Sequence, residues 1–531
     1  MLDRNPTYLI SRVCDSSENS PQAGSLGLHE QSLPSQADYM HLRRKTAQTT
    51  TKINSKMNLL HYVQTFRWNV STTVALTFMI VATISMPLNL FKANKVLAQT
   101  SQQLQKNLIA QNPTEAALVI SERGRTRALV DLLAKRLSTK DDLSVPLSID
   151  KIKQVAKQQN VTLVEYSIIT DEFNVEGKRE AKESELYIWV IKPTGEITFR
   201  SVDLKALWQK EKTSLTDLIS QSRQSIGARG GNVKGMIKVK PTGKSNSKEK
   251  LQKLHQLLIQ PIADTLPTQP DDKIVFIPQG SLFLVPFVAL PDANGKYLIE
   301  KHTISTAPSI QVLDLLYQRQ QQIKGVAKDI LIVGNPTMPS VSAKPGEKPQ
   351  QLPSLPGAEK EAKEIARLFN TQAFTGDVAT ETTVKQRMSQ ARIIHFATQG
   401  CLEFEGMNIP GQLAFAPSSQ DDGWLKSEEV MNLNLNAELV VLSSDDTALG
   451  RITGDGVIGL SRSFFAAGVP SVVGTLWSPW DEKIVLLMTT FYENLSKKPD
   501  KAYALRQAML TTMKKYPNPF DWAGFTLIGA L

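Results

Sequence analysis

Beyond residue 270 the chain alternates short apolar runs with helical patterns, and that alternation narrows its possible folds more than any other feature. The runs are Ile274–Pro278, Ile330–Gly334, Ile393–Thr398, Leu439–Ser443 and Ser471–Leu476. Helical periodicity lies between or after them, at 308–321, 357–370, 380–390, 454–467 and 480–496. Continuous apolar runs of this length suit strands covered on both faces. The pattern predicts an α/β domain with a mainly parallel sheet and helices on both faces. In such sheets the ligand crevice lies beyond the carboxyl ends of the strands. Two strand ends therefore matter most: Thr398-Gln399-Gly400 and Ser444-Asp445-Asp446.

Upstream, Val161–Ile169, Leu186–Lys192 and Ile197–Val202 carry strand signals, with Pro193-Thr194-Gly195 as a tight turn. Residues 113–137 read as one amphipathic helix with Pro113 in its first turn. Residues 101–111 suggest a helix before it. No fixed-period repeat is present, which argues against a full helical solenoid. Gly227–Lys248 reads as a loop. Its lysines lack the interleaved aromatics that stack on bases, and its glycines are not followed by the G-K-[ST] of a phosphate loop.

The first hundred residues differ in kind. Residues 1–67 read as a polar, disordered leader, in which Met57 is an alternative start. From Trp68 to Phe91 no residue is charged, a span long enough to cross a hydrocarbon core of ~30 Å. Basic residues precede it, so the expected orientation exports everything downstream. Val96 and Ala98 fit the −3 and −1 places of a signal-peptidase site, so residues 68–98 read either as a cleaved signal or as a single membrane anchor. Residues 99–140 then form a helical segment and 141–531 the α/β domain.

Composition closes off several function classes. Two cysteines, Cys14 and Cys401, exclude a disulfide framework and a cysteine-built zinc site. No cofactor is implied. The net charge of +10, from 61 basic and 51 acidic residues, is too mild to mark a nucleic-acid protein. Of six histidines, only His255, His302 and His395 lie beyond residue 61.

The segments RIIHFATQG (392–400), LVVLSSDDTALG (439–450) and GTLWSPWDEK (474–483) resemble the CHAT domain, a bacterial caspase-like module related to separases and gingipains. IVFIPQGSLFLVPFVAL (274–290), YLIEKHTISTAPS (297–309), VGNP with LPGAEKEA (333–336, 355–362) and WAGF (522–525) are similar to further family motifs, in the family's order. The helix SERGRTRALVDLL (121–133) is similar to the one that ends a tetratricopeptide array before such domains. The resemblance implies a caspase-like sheet, preceded here by a short helical segment and an N-terminal hydrophobic helix.

It also implies a His-Cys dyad, and here the sequence departs from the family. The motif H-F-A-T-H-G holds the general base where this chain has Gln399, and L-S-A-C-x-T holds the nucleophile where it has Asp445. Amide cleavage by that route needs a thiolate and a group that carries its proton to the leaving amine. Gln399 has no proton equilibrium near neutral pH, and Asp445 is a poor nucleophile toward an amide. Losing one such member costs on the order of 10⁴–10⁶ in kcat.

Substitutes are weak. Cys401 would need His395 as its base. Strand alternation puts His395 on the face of Gln399 but roughly 13 Å deeper. A buried, hydrogen-bonded His395 and an inert Cys401 are the plainer readings. Asp445 and Asp446 would share a proton only across a sharp turn, and Ser443 or Ser444 has no base. Gly400 would admit a close peptide backbone, and Asp445 would recruit a Lys or Arg. Asp481 aligns with an acidic family position. The expected function is a catalytically inactive caspase-like domain that binds protein or peptide as a scaffold or regulator, with His395, Gly400, Ser444, Asp446 and Asp481 as cleft candidates. The alternative is an active CHAT peptidase using Cys401. The expected partners are a protein or peptide, with membrane contact through residues 68–91 and no nucleic acid.

Overall fold

The computed structural model describes residues 101–531, apart from 124, 126, 138–146, 176, 229–246, 343–347, 402–410, 445–446, 449–450, 454–455 and 478–480. The leader and the hydrophobic segment 68–91 lie outside these residues. Among the described residues no helix is long and apolar enough to cross a membrane.

Residues 101–110 are helical. The helix expected over 113–137 is in fact two, α1 (Thr114–Arg123) and α2 (Arg127–Leu137). Gly124 falls at the break, where a glycine lowers helix stability by about 1 kcal/mol relative to alanine. Arg125 there turns inward, donating to Pro278 O (3.0 Å) and to Tyr166 O. Then come α3 (Ile149–Gln159), β1 (Val161–Val175), β2 (Lys178–Ile191), β3 (Ile197–Asp203), α4 (Leu215–Ser225) and α5 (Ser247–Leu258). β1 and β2 run well past the expected strands as one long hairpin, paired from Thr170↔Glu183 to Val175↔Lys178. Its outer half is charged, so an apolar-run signal misses it.

The rest of the chain gives β4 (Lys273–Ile277), β5 (Thr303–Thr306), α6 (Ile310–Ile323), β6 (Asp329–Pro336), α7 (Pro356–Leu368), β7 (Phe374–Gly376), α8 (Glu381–Met388) and β8 (Ala391–Ala397). It closes with β9 (Leu439–Leu442), α9 (Leu460–Ala467), β10 (Ser471–Thr475), α10 (Asp481–Lys497), α11 (Lys501–Lys515) and β11 (Phe525–Gly529). The helix expected over 454–467 is shorter. Gly456–Ile458 pairs with Arg451–Thr453 as a small hairpin, and the helix starts only after Gly459.

Eleven strands form one sheet, in the order β3-β2-β1-β4-β5-β11-β10-β9-β8-β6-β7. It is mainly parallel, as expected. The β10–β11 pair is antiparallel and reverses the direction. One parallel block runs from β10 to β7, and β11, β5, β4 and β1 form a second block pointing the opposite way. The carboxyl ends of β8, β9 and β10 therefore share one edge of the sheet, and those of β4 and β5 lie on the other.

Helices cover both faces. On one, Ile332, Ile393, Val441 and Val473 belong to a core shared with Ala362 and Ile365 of α7, Leu487 and Phe491 of α10 and Met509 of α11. On the other, Leu331, Ile394, Phe396 and Val440 pack with Leu315 of α6, Val384 of α8, Phe464 of α9 and Leu133 of α2. Each such side chain contributes about 1.5–3 kcal/mol by leaving water. Glu122 ties α1 to α6, accepting from Ile310 N (3.0 Å) and Gln311 N (3.3 Å) at the helix start. A carboxylate there satisfies orphan N–H groups and meets the positive end of the helix dipole.

Candidate functional site

β8, β9 and β10 are neighbours in parallel register, with Ile394 opposite Val440 and Val440 opposite Val472. Their three exits are stitched together. After Ala397, Thr398 Oγ1 donates to Ala414 O (2.6 Å) and Ala414 N donates to Gln399 O (2.9 Å). The chain thus leaves the main sheet and enters a small antiparallel one, formed by Gly400–Cys401, Gln412–Ala414 and Trp424–Lys426. The strand alternation that relates His395 to Gln399 ends at Ala397.

After Leu442, Ser443 N donates to Phe396 O (2.8 Å). Thr447 Oγ1 donates to Leu442 O (3.0 Å), and Thr447 N donates to Thr475 Oγ1 (3.1 Å). Thr475 Oγ1 in turn donates to Ser444 O, and Ala448 N donates to Thr475 O (2.8 Å). Thr475 is thus the knot between the second and third strand ends. Gly474 permits the approach: a Cβ there would stand 3.2 Å from both the Cβ and the N of Ala448. Thr475→Val removes the hydroxyl from the knot and leaves Thr447 N–H and Ser444 C=O without their partner, while the backbone bonds of Thr475 to Thr447 Oγ1 and Ala448 N remain. The expected loss is about 2–3 kcal/mol in urea unfolding, while Thr475→Ser, which keeps the hydroxyl, loses under ~1 kcal/mol.

Gln399 is buried and its Nε2 donates to Gly400 O (3.1 Å). Ser443 and Ser444 are buried too, and their hydroxyls have no hydrogen-bond partner among the described residues. Buried polar atoms usually have one, and both oxygens are sealed from solvent. Cys401 is the second residue of its short strand and Asp481 the first of α10. Asp445 and Asp446 lie outside the described residues.

His395 sits beneath this edge, fully buried on the α7–α10 face. Its Nδ1 is 3.0 Å from Tyr492 Oη, and its Nε2 is 3.1 Å from Glu361 Oε1. Burial, with the Glu361 charge adding to it, pushes the Tyr492 hydroxyl well above its usual 10.0, so it stays protonated. Both ring nitrogens therefore face groups deep in the fold. Glu361, Tyr492 and Thr475 were not found by sequence reasoning, because each meets its partner only through packing.

No group of three or more His, Cys, Asp or Glu that would hold a metal occurs among the described residues. A cavity of about 50 Å³ lies along β5 and β11, which pair at Thr306↔Ile528. Ala448 and Leu476 reach its wall, but Gln399, Ser443 and Ser444 do not.

These features define an α/β domain whose strand-end edge is knotted by side-chain hydroxyls. The family model for the CHAT domain matches residues 248–530, and the chain belongs to that family. β1, β2 and β3 precede the matched residues and extend the same sheet. Among curated proteins, the chain is similar to mouse Tetratricopeptide repeat protein 28, 26% identical with 81% of the chain covered. It is also similar to the human protein of that name, 25% identical over the same share. The chain spans 22% of the length of each. Among solved structures it is similar to the Saccharomyces cerevisiae separase–securin complex, with 12% identity, a TM-score of 0.44, and 82% of this chain and 36% of that one covered. It is also similar to the Arg-specific cysteine proteinase gingipain R, with 10% identity, a TM-score of 0.33, and coverages of 60% and 75%.

Proposed function

We propose that this chain binds a protein or peptide segment along the edge formed by the ends of β8, β9 and β10, and does not cleave it. The observation that carries this reading is Gln399. It stands where the family motif has its general base, and its buried amide donates to Gly400 O. An amide neither takes a proton from a nucleophile nor gives one to a leaving amine. Asp445, at the nucleophile's place in the motif, opposes an oxyanion and favours a Lys or Arg from the partner. His395 is a poor base for Cys401, since it is fully buried, with its Nδ1 bonded to Tyr492 Oη and its Nε2 facing Glu361. The uncharged segment Trp68–Phe91 and the basic residues before it support action outside the cytoplasmic membrane, as a scaffold or regulator.

The test is a bead-bound library of Lys- and Arg-containing peptides incubated with the full chain. Retained peptides with intact termini are the expected result. Sequence-selective cleavage that disappears in Cys401→Ala would overturn the proposal. A companion variant, Gln399→His with Asp445→Cys, is expected to raise cleavage at least ~100-fold above background, the scale of restored proton transfer.

A further inference from the structure

The third strand end is held from outside the family-matched residues. α4 precedes residue 248, and its Arg223 is buried against the segment that follows β10. Arg223 Nη2 donates to Leu476 O (2.8 Å) and Nη1 donates to Leu284 O (3.3 Å). The guanidinium carbon lies 5.6 Å from the centre of the Trp477 ring. Trp477 has a second anchor: its Nε1 donates to Phe520 O (2.9 Å), and the two rings stack at 6.5 Å. The turn after α4 joins the same stack. Gly227 has a φ of +97°, and a Cβ there would touch the Phe520 ring at 3.4 Å.

Leu476 directly follows Thr475, which fastens Thr447, Ala448 and Ser444. The Leu476 N–H donates to Gly524 O (2.7 Å), so both polar groups of that peptide residue are engaged. A guanidinium suits the place because its planar fork reaches two carbonyls while its face lies against an aromatic ring.

We infer that Arg223 is a positioning residue for the strand-end cleft: it holds Leu476 and Trp477 in place and, through Thr475, the residues Ser444, Thr447 and Ala448. The binding unit therefore begins before residue 215, and residues 248–530 alone lack one wall of the cleft's support. This rests on the reading of that edge as a peptide-binding cleft, while its first readout is independent of any ligand.

The experiment compares the full chain with Arg223→Met, Arg223→Lys and, as a surface control, Arg367→Met. Native-state hydrogen exchange is followed at Thr447, Ala448 and Leu476, with Ile188 and Val190 of β2 as the internal reference. In Arg223→Met the three strand-end amides are expected to exchange at least ~10-fold faster, while the β2 amides change by less than about twofold. Arg223→Lys restores one hydrogen bond without the fork and is expected to fall between. Binding to the same bead-bound Lys/Arg peptides is expected to weaken at least ~10-fold in Arg223→Met. Unchanged strand-end exchange overturns the inference, and so does an equal acceleration in β2, which marks a general loss of stability. Unchanged peptide retention alongside faster exchange also overturns it. A wild-type chain that retains no peptide overturns the cleft reading instead, and the exchange result still decides whether Arg223 holds the wall.

Discussion

Arg125→Met is expected to cost about 3–5 kcal/mol in urea unfolding at pH 8, and clearly less at pH 5. Arg125 is buried, with its Nη2 3.4 Å from Glu165 Oε1. It also donates to Ser121 Oγ (3.1 Å), Pro278 O (3.0 Å) and Tyr166 O. Methionine fills much of the volume and supplies none of these donors. Burial holds the Glu165 carboxyl well above its usual 4.5, and the Arg125 charge works against that rise. The folded chain thus keeps this proton to a higher pH than the unfolded chain does. Stability falls as pH climbs from about 4.5 toward the folded-state value, because deprotonation is easier once unfolded. Removing Arg125 removes the opposing influence and widens that window, so the variant suffers most where the carboxyl must ionise. Arg125→Met combined with Glu165→Leu removes both charges and is expected to recover most of the loss. A loss under ~1 kcal/mol, or one equal at both pH values, would sink the argument. Because Glu122 also fastens α1 to α6, trypsin is expected to cut the single variant near residues 123–127 first.

The elements legible in the sequence are those whose physics is local. β4, β6, β8, β9 and β10 are buried on both faces, so each is an apolar run, and the intervening helices carry their own periodicity. β5 (TIST) and β7 (FTG) are too short and too polar to stand out, and β11 alternates buried with half-buried residues. Strand direction has no local signature. The reversal at β10–β11 arises because β11 returns beside β10 from the far end of the chain.

The site divides along the same line. Thr398, Gln399, Gly400, Ser444, Asp445 and Asp446 are marked by the rule that crevices open at strand ends. The groups that make the edge rigid come from elsewhere. Thr475 bonds Thr447 across 28 residues, Tyr492 meets His395 across 97, and Arg223 reaches Leu476 across 253. No spacing or motif connects such pairs before the sheet order is known.

The motif VGNP with LPGAEKEA is visible as a pattern, and its reason is steric. A Cβ on Gly334 would stand 2.4 Å from Ala362 Cβ and 2.5 Å from Ala358 O. α7 thus crosses β6 at a distance only a glycine allows. Asn335 then turns into the left-handed region, with a φ of 48°. Its Oδ1 accepts from Leu355 N (2.7 Å) and Ser354 Oγ (3.1 Å), and its Nδ2 donates to Glu359 Oε2 (3.0 Å), which fixes the start of α7. Gly334→Ala is therefore expected to destabilise the chain by about 3 kcal/mol, and Gly334→Val by more, since backbone must move. The displaced helix carries Glu361, so the His395 contacts loosen, and the near-ultraviolet circular dichroism of the buried Tyr492 is expected to weaken. Adding Ala362→Gly to Gly334→Ala relieves the 2.4 Å clash and leaves the 2.5 Å one against Ala358 O. The pair is thus expected to recover only part of the loss. Wild-type stability in Gly334→Ala, or full recovery in the pair, would show that α7 yields freely and that its approach does not set the position of Glu361.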